Sequence, residues 1–156
     1  MILIADSSAL VALSIVNQLD VLEKIFGEVY VPRAVYNEVR QENKEESKKL
    51  EEYCKDRVLD ISTPFNFNIT LGQGESEAIV LYEEKSANFL LCDDKKAKKF
   101  AQNFGINVIG SLGILLKAKK EKHIEKIAPL LEILKSSRIF IDDKIYELVL
   151  EMAEEC

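Results

Sequence analysis

Carboxylates at the ends of apolar runs are the side chains best placed to do chemistry in this sequence. Asp6 closes the run Ile2-Leu3-Ile4-Ala5, and Asp93-Asp94 close the run Asn88-Phe89-Leu90-Leu91-Cys92. Glu38 lies on the helical stretch that follows a second apolar run at 28–31, and Glu75 and Glu77 open the helical stretch before residue 88. Like charges gathered in one place repel: two unit charges ~4 Å apart in a protein-like dielectric cost about 4 kcal/mol. A fold relieves this by raising pKa values, by adding Lys or Arg, or by binding a cation. Oxygen-only ligands suit hard ions such as Mg²⁺ or Mn²⁺. One or two such ions can activate water and steady a leaving oxygen in phosphodiester cleavage. The single histidine, His123, sits in the exposed-looking run Lys-Glu-Lys-His, which argues against a Ser-His-Asp triad, a His-rich zinc site or paired-histidine catalysis.

The elements that must carry these acids follow from periodicity. Residues 2–5 read as a strand buried on both faces, the mark of a parallel sheet. Ser7 and Ser8 can cap the helix that follows, Ala9 to Val16. A short helix near 18–26 stops at Gly27, a strand covers 28–31, and Pro32 opens the next helix. The charged stretch 41–57 reads as one exposed helix, 58–61 as a minor strand and 64–70 as a loop. Gly72 and Gly74 break the chain before a helix that is apolar almost all round. Glu77 lies on its apolar flank, which is costly without a partner. A strand at 88–92, a lysine-rich helix ending at Gly105 and a strand at 106–110 complete the alternation. Beyond it the chain is mostly helical, with Pro129 inside or at a break, an extended piece at 138–141, and a last helix capped by Asp142 or Asp143. Alternating strands and helices favour an α/β fold with helices on both faces of the sheet. In such sheets ligands bind beyond the carboxyl ends of the strands, where Asp6, Asp93 and Asp94 fall.

Composition bounds the partners. The chain has 156 residues, 47% hydrophobic and 31% charged, which fits one folded domain. A formal net charge of −6 does not fit a protein that grips long nucleic acid over a broad basic surface. Any contact with nucleic acid is expected to be local. Cys54, Cys92 and Cys156 have no CxxC spacing, so a reducing cytoplasmic setting is expected, without a disulfide framework or thiolate zinc site. No signal-like segment precedes Asp6 and no apolar stretch is long enough to span a membrane, so no membrane partner is expected.

In order along the chain stand Asp6-Ser7-Ser8, Tyr36-Asn37-Glu38-Val39, Gly74-Glu75-x-Glu77-Ala78-Ile79 and Leu91-Cys92-Asp93-Asp94-Lys95. Together they resemble the acidic motifs of PIN domains, and more narrowly the prokaryotic branch related to VapC-type ribonuclease toxins. The resemblance covers roughly the first 115 residues. It implies a three-layer α/β fold with a mostly parallel four- to five-stranded sheet. Residues 1–156 would form one domain, with 111–156 a mainly helical C-terminal extension packed on it. It also implies a Mg²⁺- or Mn²⁺-dependent endoribonuclease that cuts single-stranded RNA, acts as a homodimer, and is the toxin of a toxin–antitoxin pair with an antitoxin protein as partner. Carried over, Asp6, Glu38, Glu77 and Asp94 form the catalytic pocket. Asp6, Asp94, Asp93 and Glu77 are the metal-ligand candidates, with Glu75 in reserve, and Ser7, Ser8 and Lys95 touch substrate. Glu77 stands where many relatives carry Asp.

Plainer roles compete for the same residues. Asp6 can cap the helix after it, Asp93 the helix at Lys95, and Glu75 can be a first-turn acid favoured by the helix dipole. Glu38 and Glu42 can be surface acids. Lys95, Lys96, Lys98 and Lys99 share a face that either attracts phosphate or is simply solvated. Arg33 and Arg40 are RNA contacts or surface ion-pair partners, and Cys92 is a small core residue. The alternative functions are a catalytically inactive PIN-fold module that binds nucleic acid or protein, and a receiver-like phosphoryl-transfer domain, which fits the helical glutamates poorly.

Overall fold

The computed structural model describes residues 1–41, 45–65, 71–139 and 141–155. Strand β1 (Ile2–Ala5) is the centre of a five-stranded, all-parallel sheet with β2 (Glu28–Pro32), β3 (Val58–Leu59), β4 (Phe89–Leu91) and β5 (Val108–Ile109) in the order β3-β2-β1-β4-β5. The chain builds outward from β1 through β2 to β3, then crosses to the other side of β1 for β4 and β5. The topological switch point therefore lies between β1 and β4, where a doubly wound sheet opens its ligand crevice. Ile4 pairs with Leu90, and the Asp6 amide donates to the Leu91 carbonyl at 2.9 Å.

Alternation sorts the strand side chains into two cores. Leu3, Ala5, Val29, Val31 and Leu91 face one side, where they pack with α1 (Ser7–Ile15), α2 (Val21–Phe26), α3 (Arg33–Gln41) and α4 (Ser47–Cys54). The same core takes in α7 (Ser111–Lys120), α8 (Ala128–Ser136) and α9 (Asp143–Met152). Ile4, Leu90 and Cys92 face the other side and pack against α5 (Gln73–Glu84) and α6 (Lys95–Asn103). The result is helix, sheet, helix. Helix α1 runs through the larger core, with Ala9, Leu10, Val11, Ala12, Leu13 and Ser14 all buried.

Several expected details differ. Ser7 and Ser8 are the first residues of α1 and do not cap it; Asp6 occupies the cap position without a side-chain cap bond. Pro32 ends β2, and α3 starts one residue later. The stretch 41–57 is not one helix: α3 ends at Gln41, α4 spans Ser47–Cys54, and residues 42–44, with Glu42, lie outside the described residues. Gly74 does not break the chain but sits inside the first turn of α5, with Gly72 at the cap. Pro129 lies in the first turn of α8, where its missing N–H costs nothing. Of 138–141, Arg138, Ile139 and Ile141 are not in a strand, and Phe140 lies outside the described residues, as do 66–70 of the expected loop. The last helix is capped by Asp142, whose carboxylate accepts from the Lys144 amide at 2.7 Å.

Candidate metal and nucleic-acid site

Asp6 lies just past the central strand and its side chain turns to the α5 side, continuing the alternation of Ile4. It is 3% exposed. Oδ2 accepts from the Cys92 thiol at 3.6 Å, while Oδ1 is buried and has no hydrogen-bond partner. Burial pushes its pKa up to about 7, the Ser7 backbone amide pulls the other way, and the charges of Glu75 and then Glu38 raise it further. A buried carboxylate oxygen with no partner costs free energy, and two further carboxylates nearby add to that cost. Cys92 is thus a core residue that also orients Asp6. Its own thiol pKa is raised, first by burial and then by the Asp6 charge.

Glu38 reaches the same place from α3. Its Oε2 accepts from the Ser7 hydroxyl at 2.9 Å. Its other oxygen lies against the Cα of Gly74, where a Cβ would overlap it and would also sit 3.2 Å from Val35 Cγ2. Gly74 is therefore what lets α3 and the acid on it approach α5. Glu75 curls back over Gly72, so that a Cβ there would meet the Glu75 carboxylate. Ser7, Ser8, Val11, Glu38 and Arg138 line an open pocket of about 240 Å³ beside this group.

The remaining candidates split. Asp94 is the N-cap of α6: Oδ2 accepts from the Ala97 amide at 2.8 Å, and the residue is exposed at the rim. Its charge is felt at Cys92, and so it adjoins Asp6 through that thiol. Asp93 turns away to α7. Its two oxygens accept from the Ser111 amide and the Ser111 hydroxyl, each at 2.7 Å, so it caps the helix after β5 and not the Lys95 helix. Glu77 is likewise occupied. Oε1 accepts from the Ala34 amide at 3.0 Å, an otherwise unsatisfied N–H in the first turn of α3, and Oε2 accepts from Gln73 at 3.0 Å. The structure thus brings together Asp6, Ser7, Glu38, Glu75 and Cys92, with Asp94 at the edge. It places Glu77 and Asp93 as caps that fix α3 and α7. Ser8 sits between the two sets, its hydroxyl accepting from the Asp93 amide at 3.4 Å.

The basic candidates are peripheral. Arg33 pairs with Asp60 at 3.0 Å and Arg40 with Glu51 at 3.6 Å, both on the surface and both beside the Tyr36 ring. Lys95 and Lys96 are exposed in the first turn of α6, where the helix dipole disfavours a cation. Four contributions escaped the sequence reading: the close approach that Gly74 permits, the thiol contact of Cys92, Ser111 and Arg138. Gly74 alone carried a signal, a glycine in the first turn of a helix whose next residues are apolar on all sides.

A divalent ion fits at one point in this arrangement, the partnerless Asp6 Oδ1 beside the charges of Glu38 and Glu75. Among the described residues no three acids, thiols or imidazoles already stand as a ligand set.

A parallel α/β sheet with a buried acid at its switch point, flanked by acids from the following helices, fits the PIN class, whose members are generally nucleases. The comparisons agree: the family model for DUF3368, a PIN domain, matches residues 2–155, and the chain belongs to that family. The match runs through α9, well past the first 115 residues whose motifs carried the resemblance. Among solved structures, the chain is similar to a PilT N-terminus domain protein, SSO1118, from the hyperthermophilic archaeon Sulfolobus solfataricus P2. The TM-score is 0.55 at 21% identity, covering 76% of this chain and 93% of the other. That likeness bears on the fold. No curated protein gives a significant match. Among the described residues no helix is long and apolar enough to cross a membrane.

Proposed function

We propose that this chain is a Mg²⁺- or Mn²⁺-dependent endoribonuclease acting on single-stranded RNA in the cytoplasm. The observation that carries the reading is Asp6, a carboxylate buried at the switch point with one oxygen left without a partner between two further acids. Asp6 and Glu38 would hold the ion, with Glu75 preferred to Glu77 as the third acid and Asp94 completing the rim. When bound, such an ion supplies Lewis acidity for attack of water on a phosphodiester and charge to steady the departing oxygen.

The chain's own groups do the positioning. Ser7 holds Glu38 by its hydroxyl, and Cys92 holds Asp6 by its thiol. Glu77 and Asp93 anchor the helices that carry Glu38 and follow β5. Lys95 and Lys96, cations placed against the α6 dipole, supply the local attraction that a phosphate chain needs on an acidic protein. The toxin role, the homodimer and an antitoxin partner are proposed on the resemblance to the VapC-related branch alone.

The test is Asp6→Asn assayed on single-stranded RNA with Mn²⁺, with Mg²⁺ and with EDTA. Cleavage by the wild type should need the ion. In the variant it should fall by at least about a hundredfold, with an unchanged circular dichroism spectrum. Cleavage by the variant at the wild-type rate would sink the assignment. Metal binding by the wild type with no cleavage of any RNA would favour the inactive binding module.

A further inference from the structure

An acidic site in a chain of net charge −6 must still receive a polyanion, and the pocket beside Glu38 contains a cation that no motif announces. Arg138 comes from the segment between α8 and α9 and lines that pocket with Ser7, Ser8 and Val11. Its guanidinium is bonded to the Glu46 carboxylate. The two partners differ in burial: the Glu46 side chain is 9% exposed, the Arg138 side chain 39%. The buried Glu46 anchors the pair, while the Arg138 side chain stays part-exposed. A guanidinium has five N–H donors, so one carboxylate leaves several free.

Glu46 in turn lines a second pocket, of about 350 Å³, with Ser14, Ile15, Glu45 and Lys49. The α1 residues of the two pockets are Ser7, Ser8 and Val11, then Ser14 and Ile15. Their spacing of i, i+1, i+4, i+7 and i+8 is a single face of a helix. Both pockets lie against that face of α1. The Arg138–Glu46 pair stands between them. The first pocket holds Glu38, and Arg138 brings to its wall a guanidinium anchored on one carboxylate, a group that can bind phosphate through two parallel bonds.

We infer that the substrate strand passes through the pocket beside Glu38, and that Arg138, held by Glu46, binds a backbone phosphate next to the one being cut. The inference takes its substrate from the nuclease reading but is tested without cleavage. Binding of a fluorescein-labelled single-stranded RNA is followed by anisotropy in EDTA, across a range of salt concentrations. Arg138→Gln should weaken binding by about tenfold and lower the slope of log Kd against log salt by about 0.7, the value for one phosphate contact on a single strand. Arg138→Lys should restore the slope but not the full affinity, because the charge returns without the fork. Removing Arg138 leaves Glu46 unpaired, so the comparison is repeated between Glu46→Gln and Glu46→Gln/Arg138→Gln, where no carboxylate is stranded. An unchanged salt slope in both comparisons overturns the inference, as does a wild type that does not bind the strand. A strand bound with the expected Arg138 dependence but never cut in Mn²⁺ removes the nuclease reading and leaves this one standing.

Discussion

Asp6 sets up a conflict between folding and function that is measurable at a single residue. In the unfolded chain its carboxyl ionises near the ordinary value of 3.8, whereas burial in the folded state holds the pKa at about 7. Between those values the folded protein keeps a proton that the unfolded chain has lost. Raising the pH through that window therefore favours unfolding, by about 1.4 kcal/mol per pH unit at most, and above pH 7 the effect levels off. Urea titrations in EDTA should show stability falling from about pH 4 to about pH 7. Asp6→Asn, with no charge to desolvate, should remove that fall and be at least as stable as the wild type at pH 8. A wild-type stability that rises over the same range would contradict the environment described for Asp6. Residue type alone did not reveal this division of labour. Any carboxylate can ligate a cation or cap a helix, and the choice depends on where neighbouring N–H groups point. Asp93 and Glu77 looked like ligands for that reason and also act as caps, while Glu75 is the first-turn acid it looked like and its charge is felt at Asp6 as well.

The elements were legible where burial enforces a period. Strand β1 stood out because it is buried on both faces, and α5 because it is apolar nearly all round. Boundaries governed by a single side chain were not legible, as at Pro32 and Gly74. The close crossing of α3 and α5 rests on Gly74, which gives a prediction at this scale. Gly74→Ala places a methyl group against Val35 and the Glu38 carboxylate. It should cost about 1–3 kcal/mol in stability and displace Glu38, lowering cleavage by about tenfold or more. Gly72→Ala meets only the flexible end of Glu75 and should be milder on both counts. Equal losses of activity from the two substitutions would mean that Gly74 has no special part in seating Glu38. Leu10, fully buried in the middle of α1, is the corresponding packing test. Leu10→Ala should lower stability by about 2–5 kcal/mol, read from denaturant midpoints.

At the scale of the whole molecule, the C-terminal helices are not an appendage. Ile114, Leu115, Ile127, Leu131, Leu134 and Val149 share one core with α1 and with the inner face of the sheet. Ser111, at the start of α7, takes both oxygens of Asp93, and Arg138 from the α8–α9 segment lines the acid pocket. The sequence showed stripes of Leu and Ile here but not their destination, since a stripe says only that a helix packs on something. Removing residues 111–156 should therefore give a chain without a cooperative melt, not a smaller active domain. A truncated protein that unfolds cooperatively and still cuts RNA would show that the tail is dispensable.

The central position of β1 has a consequence for synthesis. The thiol that orients Asp6 comes from a residue 86 positions later, on the far side of the sheet crossover. Until that stretch has left the ribosome, the first strand has no neighbour on one flank and its acid has no pocket. On the nuclease reading proposed above, a growing chain passes through most of its translation unarmed, beside the polymer its finished form would cleave.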